Sequence, residues 1–162
     1  MYKRQEIIRK IILNKRSTNK KKTDLLLYLA ARNENVERLI KPNINKKVIL
    51  IDRFTDSTIA YQHYGMGVNL KLINVLNNYL LKDIKIGFTF LNIVNNKNLL
   101  LRLKKRKTLN RYDKFNLVFY NKVQNGFIKL AKLKKRSYMI INSNLEIEKN
   151  KKLILDKIIK LI

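Results

Sequence analysis

The chain has 162 residues, with 37 Lys and Arg against 11 Asp and Glu, one His, no Cys and no Trp, for a net charge of +26. At 46% apolar residues it is too hydrophobic for a disordered basic tail and long enough to build a core. The absence of Cys excludes disulfides, thiolate zinc sites and Cys nucleophiles, and a single His excludes a multi-His metal cluster.

Along the chain, apolar residues at Ile7, Ile8, Ile11, Ile12 and Leu13 have helical spacing, which predicts a helix over Gln5–Leu13. A lysine-rich loop follows. Thr23 is the expected cap of a second helix, with Asp24 in its positive first turn, running through Tyr28 and Arg32 to Ile40 before Pro42 closes it. The β-branched run Lys47–Ile51 stops at Asp52-Arg53, and its unbroken apolarity predicts a strand covered on both faces. A short helical piece over Thr55–Gln62, a bend at Gly65 and Gly67 and a helix over Asn69–Leu81 come next. Phe88–Val94 reads as a second strand, Asn96–Lys105 as a helix and Lys105–Tyr112 as a basic loop. A long amphipathic helix over Asp113–Lys134, a third strand over Tyr138–Asn142 and a closing helix over Glu146–Leu161 complete the chain.

Strands alternating with helices predict one α/β domain over residues 1–162 with a parallel sheet. In such sheets ligands sit beyond the carboxyl ends of the strands, which puts Asp52 and Arg53 at the mouth of a site. One carboxylate beside one guanidinium suits a metal-bound or hydrogen-bonded phosphate; a local ion pair at a strand end is the other reading. No apolar run approaches the roughly 18 residues of a spanning helix, and Met1–Gln5 carries no signal-peptide core, so a cytoplasmic protein is expected.

The charge has two readings. Lys far outnumbers Arg, alongside abundant Asn and Ile, the residues that AT-rich codons favour, so solvated surplus lysine is preferred over a dedicated nucleic-acid surface. The concentrated exception is Arg102-Leu103-Lys104-Lys105-Arg106-Lys107. A small basic nucleic-acid-binding α/β protein therefore stands as the alternative. Against a lysine background the arginines are more informative, because a planar fork grips phosphate bidentately: Arg32, Arg53, Arg102, Arg106 and Arg111 stand out.

The stretch Asp52-Arg53-Phe54-Thr55-Asp56-Ser57-Thr58-Ile59-Ala60-Tyr61-Gln62 resembles the DRY-x-D-S-[ST]-x-AYQ signature of thymidylate kinases, enzymes that phosphorylate dTMP with ATP. Leu26–Arg32 is similar to their LL-[FY]-x-A-x-R helix, Glu6–Leu13 to their first E-x-IR-x-LLL helix, and Lys105–Asp113 to their arginine-bearing lid (about 102–113). The resemblance implies a three-layer P-loop nucleoside-monophosphate-kinase-like fold. It implies that Tyr28 lies against thymine, Arg32 and Arg53 grip the dTMP phosphate, Thr58 and Gln62 face the base edge, and Tyr61 packs beside the deoxyribose. Asp52 would meet the phosphates and Mg2+, while Arg102, Arg106 and Arg111 act from the lid, Arg106 closing on the transferred group. It also implies ATP as donor and a homodimer.

Departures from the family pattern are His63 and Met66 where AYQG-x-GRG has glycine and arginine, Asn92 where the strand has aspartate, and Asn110-Arg111-Tyr112-Asp113 in place of DR-x-E. His63 is accordingly expected to be a surface or loop residue rather than an acid–base group. The glycines are Gly65, Gly67, Gly87 and Gly126, and no GxxxxGK[ST] stretch occurs. The expectation is that the family's first strand and P-loop are missing from this chain, with Met1 an internal start, and that the chain alone has weak or no kinase activity.

Overall fold

The computed structural model describes residues 3–82, 84–107 and 109–162. Met1, at the expected internal start, and Thr108, inside the expected lid, lie outside the described residues. Two compact units emerge, one within residues 1–85 and 108–127, the other within 86–107 and 128–162.

In the first unit α1 (Lys3–Leu13) packs on α2 (Lys21–Asn35). Ile8 and Ile12 on α1, like Leu25 and Leu29 on α2, lie four residues apart on one helical face, and Ile12, Leu25 and Leu29 are buried. Thr23 is not the cap. Lys20 holds the cap position, so Thr23 sits exposed inside the first turn, while Asp24 in that turn faces inward and is buried. The helix runs on into a π-helical turn, Val36–Ile40, and the backbone then turns at Pro42.

The expected strand over Lys47–Ile51 is corrected: these residues pair in no sheet among the described residues, with Val48 63% and Leu50 77% exposed. β-Branched residues favour a pleated chain, but a strand exists only when a neighbour takes its N–H and C=O groups. The expected three-stranded sheet therefore has two strands here.

After Asp52-Arg53 the chain forms α3 (Thr55–Thr58), which widens into the π-helix Ile59–Gly65, and turns at Gly67 with φ of 72°. Asn69 caps α4 (Leu70–Leu80), its Oδ1 accepting the Lys71 N–H at 2.8 Å. A 3-10 turn, Arg111–Lys114, closed by a reciprocal Asn110–Asp113 capping box, delays α6 to Leu117–Leu133 rather than the expected Asp113. Ile12, Ala60, Tyr112, Phe119 and Val123 form a buried core here. Gly126 is required by close approach: a Cβ would stand 2.5 Å from Tyr64 Cδ2.

In the second unit β1 (Thr89–Ile93) and β2 (Tyr138–Asn142) pair in parallel, Leu91 opposite Ile140. Asn95 caps α5 (Asn96–Lys104), and α7 (Ile147–Ile159) follows β2. Beyond the strand ends, the Asn144 Oδ1 accepts from the Asn95 N–H and from Asn98 Nδ2. No described helix is long and apolar enough to cross a membrane.

Candidate functional site

The signature residues of the first unit converge around two arginines. Arg32, one turn after Tyr28 on α2, is half-buried, and both terminal nitrogens of its fork are engaged. Nη1 donates to Asn77 Oδ1 at 2.8 Å, and Nη2 donates to the Phe54 carbonyl at 3.0 Å and to Thr58 Oγ1 at 2.5 Å. The guanidinium also lies over the Phe54 ring at 5.3 Å. Burial pulls the Arg32 pKa down to about 10, with the Asp56 carboxylate acting in the opposite direction, so the group stays charged at neutral pH. Asp56 and Thr58 are themselves buried on α3.

Arg53 differs in exposure and backbone. It is exposed, and among the described residues it is the one non-glycine residue with positive φ, at 63°. A Cβ crowds the following carbonyl in that left-handed conformation, at a cost of about 1–2 kcal/mol. Strain of this kind collects at sites where a side chain must be aimed. The Arg53 guanidinium lies over the Tyr61 ring at 5.3 Å. Asp52 beside it is exposed as well. Among the described residues no three His, Asp or Glu side chains converge, so a cation at this turn would have Asp52 as its protein carboxylate.

Beneath Arg53 runs a shelf of rings. Tyr61 meets Tyr112 at 5.8 Å and Phe119 at 6.1 Å, and Tyr28 meets Tyr112 at 6.2 Å. Burial raises the Tyr28 and Tyr112 hydroxyl pKa values above the usual phenol range, so both remain neutral donors. Gln62, on the π-helix, is 2% exposed, and its Nε2 has no hydrogen-bond partner among the described residues. His63, on the same π-helix rather than in a loop, is tied by Nδ1 to the Val68 carbonyl at 2.8 Å.

Tyr28, Arg32, Arg53, Thr58, Tyr61 and Gln62 thus fall in one unit with Asp52 at its turn. Arg111 is in the same unit, ion-paired to Asp24 and donating to Ser17 Oγ at 3.1 Å. Arg102 and Arg106 are in the other unit, both exposed; Arg102 donates to the Ser143 carbonyl at 2.6 Å.

Two participants escaped sequence reading. Asn77 is buried and orients Arg32; its signal was a polar side chain one turn after the buried Ile73 on the inward face of α4. Asp24, read as a helix-end charge, is a buried counter-ion. A carboxylate flanked by Leu25, Leu26 and Leu27 was the clue.

The fold is that of an α/β protein with a parallel pair of strands, and it has a solved counterpart. The thymidylate kinase of Ehrlichia chaffeensis superposes with a TM-score of 0.63 at 30% identity, over 82% of this chain and 60% of that one. The family model described as thymidylate kinase matches residues 3–154. The thymidylate kinase of Acholeplasma laidlawii is 32% identical over 159 residues, 96% of this chain and 78% of that protein. The Wolbachia sp. subsp. Brugia malayi thymidylate kinase is 39% identical over 110 residues, 67% of this chain and 52% of that protein. The chain belongs to the thymidylate kinase family. It spans about half the length of the Wolbachia relative and 60% of the Ehrlichia structure.

Proposed function

We propose that this chain binds dTMP and serves its phosphorylation to dTDP with ATP as donor, on a three-layer nucleoside-monophosphate-kinase-like fold forming a single domain over 1–162 with a lid at 102–113. The observation that carries this reading is the pairing of a locked Arg32, held by the Phe54 carbonyl and Thr58, with a strained Arg53 one residue before Phe54.

In this reading the rings of Tyr28 and Tyr61 flank the thymine and deoxyribose. Offset ring contacts are worth about 0.5–1.5 kcal/mol beyond area burial. Gln62 Nε2, buried without a partner, offers its N–H groups to a base carbonyl. Arg53 and Arg32 hold the phosphate so that its oxygen faces the donor. Positioning and charge neutralisation then carry the catalysis, and no nucleophilic side chain is required. Arg102 and Arg106 supply cationic charge from the lid, Arg106 toward the transferred group.

Asp52 fits a shared Mg2+ site, because that ion is commonly bound through one or two carboxylates with substrate phosphates completing its shell. When bound, the ion neutralises phosphate charge. A homodimer in the cytoplasm completes the proposal.

The test is a thermal-shift titration with dTMP, followed by coupled ADP release with dTMP and ATP. Millimolar dTMP is expected to raise the melting temperature, since a ligand of the folded state stabilises it by mass action. No shift with dTMP, together with steeply salt-dependent DNA affinity, would replace this reading with nucleic-acid binding through the exposed Arg102–Lys107 segment.

A further inference from the structure

The polar cluster around Asp24 is absorbed by none of the roles above. Asp24 is 1% exposed in the first turn of α2, and Arg111, 12% exposed, is its ion-pair partner. Arg111 Nη1 reaches Ser17 Oγ at 3.1 Å, in the loop between α1 and α2. The Tyr112 hydroxyl stands 3.5 Å from the same Asp24 oxygen, and the Tyr120 hydroxyl donates to the Tyr112 carbonyl at 2.9 Å. Arg111 also lies over the Tyr112 ring at 5.3 Å. Residues 17–24 and 111–112, distant in sequence, are thereby fastened at one buried carboxylate, with Tyr120 bracing Tyr112.

The fastening has a direction. The Tyr112 ring touches Tyr28 on one side and Tyr61 on another, and Tyr61 is the ring beneath Arg53. A guanidinium committed to a buried carboxylate is costly to withdraw, because the carboxylate would be left uncompensated. Arg111 is therefore poorly suited to leave for a phosphate, unlike the exposed Arg102 and Arg106.

We propose that Asp24, Arg111 and Tyr112 are positioning residues. Their ion pair anchors the turn after the basic segment to α2, and the anchored Tyr112 ring sets the spacing of Tyr28 and Tyr61 that receives the nucleotide. This rests on the dTMP reading and removes Arg111 from the group of phosphate-contacting arginines. Asp24 acts through Arg111 and Tyr112 and touches no substrate.

Two measurements test it, one independent of any ligand. In limited trypsinolysis the native chain is expected to be cut after the exposed Lys105 and Arg106 well before Arg111. Asp24→Asn is expected to speed cleavage after Arg111 by about tenfold or more relative to Lys105, because local opening then exposes it. In a dTMP titration the same variant is expected to raise the half-saturating concentration by about tenfold, the scale of one lost charge-assisted contact. A role in stability alone would lower the melting temperature and leave that concentration unchanged. Arg111→Lys, which keeps a cation and a trypsin site but loses the fork, is expected to fall between the two; it decides by the same readings if Asp24→Asn does not fold.

Unchanged cleavage after Arg111 and unchanged dTMP affinity in these variants would overturn the anchor. If native protein shows no dTMP response while cleavage after Arg111 accelerates as expected, the dTMP reading fails and the anchor's link to nucleotide fails with it. If native protein responds to dTMP and the variants respond equally, the anchor alone is refuted.

Discussion

The interior around Arg32 and the turn carrying Arg53 present the same side chain in opposite physical settings. Arg32 is half-buried, donates to Asn77, the Phe54 carbonyl and Thr58, and faces Asp56. Arg53 is exposed, strained at φ of 63° and laid on the Tyr61 ring. Residue type at a motif position thus leaves open whether an arginine holds the fold together or is aimed outward at some cost to it. Here two motifs supply one of each kind, and the first supports the second: Arg32 bonds the carbonyl of Phe54, next to the strained residue.

Three substitutions probe that contrast. The largest effect is expected at Arg32→Ala. Removing the guanidinium leaves Asn77 Oδ1, the Phe54 carbonyl and Thr58 Oγ1 without its donors, a class of loss worth about 3 kcal/mol. Urea denaturation should register it, with a reduced midpoint and little change in slope. Asn77→Ala, which removes one of Arg32's acceptors, should cost about 1 kcal/mol. An Arg32→Ala protein as stable as the native chain would erase the distinction between the two arginines.

Arg53→Gly should act in the opposite sense on stability. Relief of the left-handed penalty, about 1–2 kcal/mol, offsets the added unfolded-state freedom of glycine, about 0.5–1 kcal/mol, so the chain should gain up to about 1.5 kcal/mol. The dTMP-dependent rise in melting temperature should nevertheless disappear. Stability and binding parting company in one variant would be the sharpest demonstration that this turn is arranged for a ligand.

The smallest effect concerns the rings under Arg53. Burial raises the Tyr112 and Tyr28 pKa values above the ordinary 10.0. Above about pH 10 the unfolded chain releases those phenolic protons while the folded chain keeps them, so stability is fully present below that pH and falls as pH rises. The lowered Arg32 pKa opposes part of this, since there the unfolded chain holds the proton longer. Tyr112→Phe should flatten the alkaline fall of the melting temperature; an unchanged slope would mean that the hydroxyl's burial carries no linkage.

Much of the site was legible before any coordinates. The Asp52–Gln62 stretch and the Leu26–Arg32 helix carried Tyr28, Arg32, Arg53, Thr58, Tyr61 and Gln62, and helical periodicity located every long helix to within a few residues. The failures share a cause. Val48–Leu50 and Thr89–Leu91 are both β-rich runs, yet only the second finds a neighbour, in Tyr138–Ile140. Propensity belongs to a segment, whereas a hydrogen-bonded ladder belongs to two. Thr23 failed as a cap for a similar reason: the helix began three residues earlier, where Lys20 took the extended conformation without any side-chain cap.

The sequence by itself determined the helices, the family and the residue types of the candidate site, because these are written in local spacing and in contiguous motifs. Only tertiary structure decided which charges are interior. The Asp24–Arg111 pair and the Asn77–Arg32 bond join positions 87 and 45 residues apart. A charge's role depends on whether water or a protein partner surrounds it, and that is settled only when distant segments meet.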